Sequence, residues 1–140
     1  MERDKWLEVL QNKPLERINV FEPGRKKPIH IIVNNIEYPA ALFPETFKIP
    51  EEGIRKMIPV GMMVKIIIET RSKYSIPDRI WVEVTNISHD REGQQFYLGV
   101  LRNDTLVGSY GSLIGPFYPR NICDFDIDAF IEKHNLKLAA

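Results

Sequence analysis

Residues 79–102 carry the stretch Arg79-Ile80-Trp81-Val82-Glu83-Val84-Thr85-Asn86-Ile87-Ser88, then the joint His89-Asp90-Arg91-Glu92-Gly93, then Gln95-Phe96-Tyr97-Leu98-Gly99-Val100-Leu101-Arg102. Both halves are rich in β-branched and aromatic residues, and the joint is polar with a glycine, so they read as two antiparallel strands around a turn. Side chains on a strand alternate between faces. Ile80, Val82 and Val84 therefore share one face, and Phe96, Leu98 and Val100 are assigned to the same side. Gly61 opens a further strand from Met62 to Thr70, which adds Val64, Ile66 and Ile68. These nine residues form the expected core.

The opposite face holds Ile67, Trp81, Glu83, Thr85, Tyr97, Gly99 and Leu101. It is too apolar to be left to water, so part of it needs a cover. Trp81 is expected across from Gly99 or Leu101, the choice depending on a bulge. With Gly99 opposite, the indole could lie over bare backbone.

Outward from this centre, residues 2–12 have the spacing of a short amphipathic helix ending before Pro14. Ile18 to Phe21 reads as a strand leading to the turn Glu22-Pro23-Gly24. A first hairpin is expected from Ile29–Val33 and Ile36–Tyr38 around Asn34-Asn35. The proline-rich stretch from Pro39 to Pro50 reads as extended or loop, and Pro50-Glu51-Glu52 starts a short helix that Met57-Ile58-Pro59 stops. Asn103 to Gly115 reads as a Gly-rich loop, Phe117 to Ile122 as one short strand, and Asp126 to His134 as a helix with Ile127, Phe130, Ile131 and His134 on one face. The expected fold is α+β: an antiparallel sheet or small open barrel flanked by N-terminal, central short and C-terminal helices, in a single domain spanning 1–140.

Composition narrows the function classes. The 140 residues are 44% hydrophobic, enough for one core, and 19 basic residues balance 19 acidic ones. No bulk charge draws nucleic acid or an anionic membrane. The single cysteine excludes an internal disulfide and points to a reducing compartment, the cytoplasm. The charged N-terminus does not read as a secretory signal, and no apolar run approaches about 18 residues.

Glu45-Thr46-Phe47-Lys48-Ile49-Pro50, Val60-Gly61-Met62-Met63-Val64-Lys65, Arg79-Ile80-Trp81-Val82-Glu83-Val84 and Gly99-Val100-Leu101-Arg102-Asn103-Asp104 occur in a recognisable order over residues 45–125. The set resembles the YegJ-like family of small bacterial domains of unknown function. It departs from that pattern at Met62, where the family has Asp, at Thr105, where it has Pro, at Gly111-Ser112-Leu113 for its Gly-Asp, and at Asp124-Phe125 for its Asp-Trp. The resemblance implies a divergent member and supports the sheet register. It implies no catalytic residue and no cofactor.

Chemistry-bearing residues are sparse. His30, His89 and His134 lack the i, i+4 spacing of a helical metal pair. Cys123 reads as a small buried hydrophobe. Asp124, Asp126 and Asp128 alternate, but Ala129 and Asn135 stand where a calcium loop needs Gly and Glu, so Asp126 or Asp124 is expected to cap the last helix instead. Gly108, Gly111 and Gly115 lack the Lys-Ser/Thr ending of a phosphate-binding loop. No catalytic constellation, metal site or cofactor is expected.

The leading expectation is a non-enzymatic binding protein, an inhibitor, immunity or regulatory factor, that contacts another protein through Trp81, Tyr97, Asn103, Asp104 and Tyr110. A second reading is a small nucleic-acid-binding barrel using Arg25, Lys26 and Lys27. A third is a small-ligand-binding domain or an enzyme of unknown type.

Overall fold

The computed structural model describes residues 16–69, 77–105 and 108–134. Seven strands carry the fold: β1 (Glu16–Phe21), β2 (Ile29–Val33), β3 (Met63–Glu69), β4 (Asp78–His89), β5 (Gln95–Leu101), β6 (Leu113–Phe117) and β7 (Ile122–Asp126). Three short helices accompany them: α1 (Glu37–Leu42), α2 (Glu52–Arg55) and α3 (Ile127–Lys133). A 3-10 turn at Pro119–Asn121 separates β6 from β7.

Every pairing is antiparallel. Each of the first six strands lies beside its sequence neighbours, and β6 returns to β1, which closes the ring. β7 pairs with residues 63–66 of β3, while β2 meets the same edge of β3 further along, at Ile32↔Glu69 and Val33↔Ile68.

This corrects the expected fold class. The domain is a closed six-stranded antiparallel barrel with one added strand, not a helix-flanked α+β sheet. The described helices have only 6, 4 and 7 residues. None can form a covering layer, so the apolar sheet face is buried by curling the sheet onto itself, which also removes most exposed edges. The expected N-terminal helix at 2–12 lies outside the described residues.

Two local expectations change with it. Asn34-Asn35 is not a hairpin turn: the Asn34 amide donates to the Ile67 carbonyl at 2.9 Å, and the Asn35 side chain accepts from the Glu37 amide at 3.0 Å, opening α1. The first hairpin is β1–β2, turned at Glu22–Arg25 with Gly24 at φ 83°. The single strand expected at Phe117–Ile122 is two strands, because Pro119 and the buried Asn121 form a turn between β6 and β7.

The core residues from β3 and β4 face inward as expected: Val64, Ile66, Ile80, Val82 and Val84 are all fully buried. On β5 the expected face is reversed. Val82 pairs with Leu101 and Val84 with Gly99, and a register shift past Thr85 then puts Asn86 opposite Leu98. Tyr97, Gly99 and Leu101 point inward, whereas Phe96, Leu98 and Val100 lie on the outer side.

Two features decide this. A Cβ at Gly99 would stand 2.4 Å from the Glu83 carbonyl oxygen and 2.5 Å from a Val82 methyl, so only glycine allows the two strands to approach this closely. Tyr97 keeps a hydrogen-bonded hydroxyl in the interior, donating to the Arg55 carbonyl at 2.7 Å. Trp81 and Tyr97 therefore do not share a face, and the indole lies opposite neither Gly99 nor Leu101.

The barrel ends are closed by Ile58 and Met62, both nearly inaccessible, and by Phe125 and Phe130 packed on the same core. A second apolar cluster lies outside the ring, where Phe47 and Ile49 cover Ile67, Ile36 and Cys123. The loop after α1 supplies the cover that the second face requires.

Candidate functional site

Among the described residues, the outer wall formed by β1, β6 and β5 has no such cover. Phe21 is directly opposite Leu113, and Leu113 is opposite Val100. Residues paired in this way share a face, so an apolar row crosses three strands. Phe21 is 47% exposed and Leu113 56%. Leu98, one step along β5 on the same face, is also exposed.

Residues 103–105 and 108–112 lie between β5 and β6 at the end of this row, where the Leu101 amide donates to the Ser112 carbonyl at 2.8 Å. At the tip of this loop, Tyr110 is 59% exposed, and the Arg102 guanidinium stands 5.3 Å from the centre of its ring. Asn103 and Asp104 hold the loop. The Asn103 side-chain oxygen accepts from the Trp81 amide at 2.7 Å, and the Asp104 carboxylate accepts from the Tyr110 amide at 2.9 Å. The Thr105 hydroxyl accepts from the Gly108 amide at 3.0 Å, and Gly111 turns the chain at φ 89°. An aromatic side chain is thus displayed on an anchored backbone, which lowers the entropy lost on contact with a partner.

Of the five residues expected to touch a partner, the structure brings Asn103, Asp104 and Tyr110 together in this loop. Trp81 is half-buried on the wall of β4, its ring 4.6 Å from the Lys65 ammonium. Tyr97 is fully buried and cannot reach a partner. Phe21, Leu98 and Leu113 were missed. Leu113 falls in a stretch that reads as loop, and Leu98 reads as core because hydrophobicity does not show which face of β5 the Gly99 and Tyr97 contacts turn inward. Only Phe21, at the outward end of an alternating strand, had a readable signal.

A cleft of about 440 Å³ lies where α2, the β4–β5 turn and the 3-10 turn meet. Its charges neutralise one another. Arg55, nearly inaccessible, donates to the Pro50 and Pro119 carbonyls at 2.8 and 3.0 Å and pairs with Glu37 at 3.1 Å. Lys56 pairs with Glu52, and Arg120 with Glu16. Tyr118 stacks beneath Arg120 and donates to Asp90 at 3.0 Å. Backbone donation from Gln94, aided by Tyr118, holds the Asp90 carboxyl below its usual range, and burial pushes the Tyr118 hydroxyl up. This network ties chain segments together and leaves little unmatched charge for a ligand.

The remaining candidates are dispersed. His30 bonds the Asn19 side chain, and His134 lies against the Phe130 ring with centroids 4.2 Å apart. His89 is exposed on the rim of the cleft. Cys123 is buried, and burial pushes its thiol up despite Arg79 and Lys65 nearby. Asp126 caps α3, accepting from the Ala129 amide at 2.9 Å. Asp124 and Asp128 are exposed, the Asp124 carboxylate accepting from the Phe125 amide at 2.8 Å. Arg25, Lys26 and Lys27 are exposed on the β1–β2 turn.

No protein-family model matches this chain, and no curated protein or solved structure matches it significantly. The YegJ-like resemblance therefore adds no residue role to the geometry. Among the described residues, no helix is long and apolar enough to cross a membrane.

Proposed function

We propose that this protein is a non-enzymatic binding module, of the inhibitor, immunity or regulatory kind, that docks a protein partner on the outer wall of β1, β6 and β5. The observation that carries this reading is the row Phe21, Leu113 and half-buried Val100, the first two exposed, bordered by the anchored Tyr110. A contiguous apolar patch with an aromatic residue and an arginine at its edge has the composition of a protein-binding hot spot. The described residues contain no group of three or more His, Cys, Asp or Glu side chains placed to hold a metal ion, and the cleft beside α2 is internally neutralised.

The test compares wild type with Leu113→Asp and Tyr110→Ala as bait in lysate of the source cells. The expected result is one polypeptide retained in stoichiometric amount by wild type and lost with both variants, whose melting temperatures stay close to wild type. Equal recovery by all three baits would overturn the assignment of this wall.

A further inference from the structure

Most cations placed between elements are matched by an acid: Arg55 by Glu37, Arg102 and Lys133 by Glu83, and Arg120 by Glu16. Lys48, Lys65 and Arg79 differ. They line one cleft of about 330 Å³ with Thr46, Cys123 and Asp124. None of the three forms an ion pair within 4.0 Å with any described residue. Three elements bring them together. Lys65 pairs with Trp81 on one side and Asp124 on the other, Arg79 pairs with Ile67, and the loop after α1 lays Lys48 over the same wall.

Like charges gathered around one concavity repel, and ordinary surfaces disperse them. Here they are held by strand register and by the apolar contact of Phe47 and Ile49 with Ile67 and Cys123. That apolar backing reduces screening by water and strengthens the field in the cleft. The carboxylate of Asp124 offsets one charge, leaving a net charge of plus two.

We propose that this cleft binds a phosphate dianion, held by Lys48, Lys65 and Arg79. Its charge matches the dianion better than a monocarboxylate. A tetrahedral anion can also accept from the planar Arg79 fork and the two ammoniums at once, with the Thr46 hydroxyl as a further donor. Free phosphate and a small phosphomonoester share this chemistry. The site is independent of the docking wall, because β3 and β6 are opposite staves of the six-stranded ring.

The experiment is calorimetric titration of the full chain with inorganic phosphate, phenyl phosphate and benzoate. Saturable binding of at least one phosphate is expected, about tenfold or more tighter than benzoate. Stronger binding of phenyl phosphate identifies an ester site, and equal or stronger binding of inorganic phosphate a free-phosphate site; both support the proposal. Arg79→Gln and Lys48→Gln each remove an exposed side chain and should weaken binding about tenfold. Lys26→Gln, the same charge change on the β1–β2 turn, should leave affinity unaltered. Absence of saturable phosphate binding, benzoate binding as tightly as phosphate, or an equal loss in Lys26→Gln would overturn the site.

Discussion

The Tyr97 hydroxyl donates to the Arg55 backbone carbonyl at 2.7 Å, joining residues 42 apart in sequence from inside the barrel wall. The same hydroxyl accepts from Gln95 Nε2 at 2.9 Å, and that amide also reaches the Lys56 carbonyl at 2.9 Å. One strand thereby fixes the end of α2. Tyr97→Phe leaves a buried carbonyl without its donor and should cost about 1–3 kcal/mol in urea unfolding. An unchanged midpoint would show that the hydroxyl is dispensable.

Arg55 is the buried charge of the end cleft. Glu37→Ala removes its anion and leaves the guanidinium on two carbonyls. Because Glu37 is itself half-exposed, the loss should fall below the 3–5 kcal/mol typical of a fully buried pair, at about 2 kcal/mol. Denaturant titration of this variant beside Arg55→Ala separates the pair from the guanidinium's other bonds, since Arg55→Ala should be the more damaging.

Gly99 and Gly53 make opposite predictions for the same substitution. Gly99→Ala drives a Cβ into the Glu83 carbonyl and should destabilise by about 2 kcal/mol or more, because backbone cannot move aside as a side chain can. Gly53 is in α2 with nothing within 4 Å of an added Cβ, so Gly53→Ala should stabilise by about 0.5–1 kcal/mol. Thermal melts of the two variants should move in opposite directions.

Acid stability should depend on Asp90. Its folded pKa lies below the ordinary value of 3.8, chiefly through backbone donation from Gln94. The stabilisation is therefore fully present above that unfolded value and is lost as pH falls through the lower, folded one. Asp90→Asn should flatten this part of the acid limb of the stability profile. Tyr118 acts with the opposite sign: its pKa is raised by burial and by Asp90, so its contribution is present below the ordinary value of 10.0 and fades as pH rises through the folded value.

Cys123 should resist alkylation. Burial pushes the thiol up, so little thiolate forms at neutral pH, and the residue is only 9% exposed. Iodoacetamide labelling followed by mass spectrometry should be slow in buffer and fast in urea. Rapid labelling of the folded protein would contradict this burial.

The strands β3, β4 and β5 were legible because Val, Ile and aromatic residues alternate over long runs with a polar turn between the last two. The β5 face was not legible. Phe96, Leu98 and Val100 are as apolar as Tyr97, Gly99 and Leu101, so hydrophobicity could not choose between them. The choice was made by contacts distant in sequence, the Arg55 carbonyl for Tyr97 and the Glu83 backbone for Gly99. Closure was equally hidden, since it rests on Phe21 meeting Leu113 across more than half of the described chain. In the candidate site, Tyr110 could be read from its Gly-rich setting, whereas the roles of Asn103 and Asp104 as tethers depend on where the loop folds back.

The position of β6 governs how this chain behaves during synthesis. Strands β1 to β5 follow one another in the sheet in the order in which they are made, so they can add on successively as an open ribbon. That ribbon leaves the outer edges of β1 and β5 unpaired until residues 113–117 leave the ribosome and join both. A nascent chain stalled before Leu113 should recruit edge-binding chaperones or pair with its neighbours on a polysome. Release of five further residues should close both of these edges, which makes β6 the latch of the ring and leaves residues 63–66 of β3 to be covered by β7.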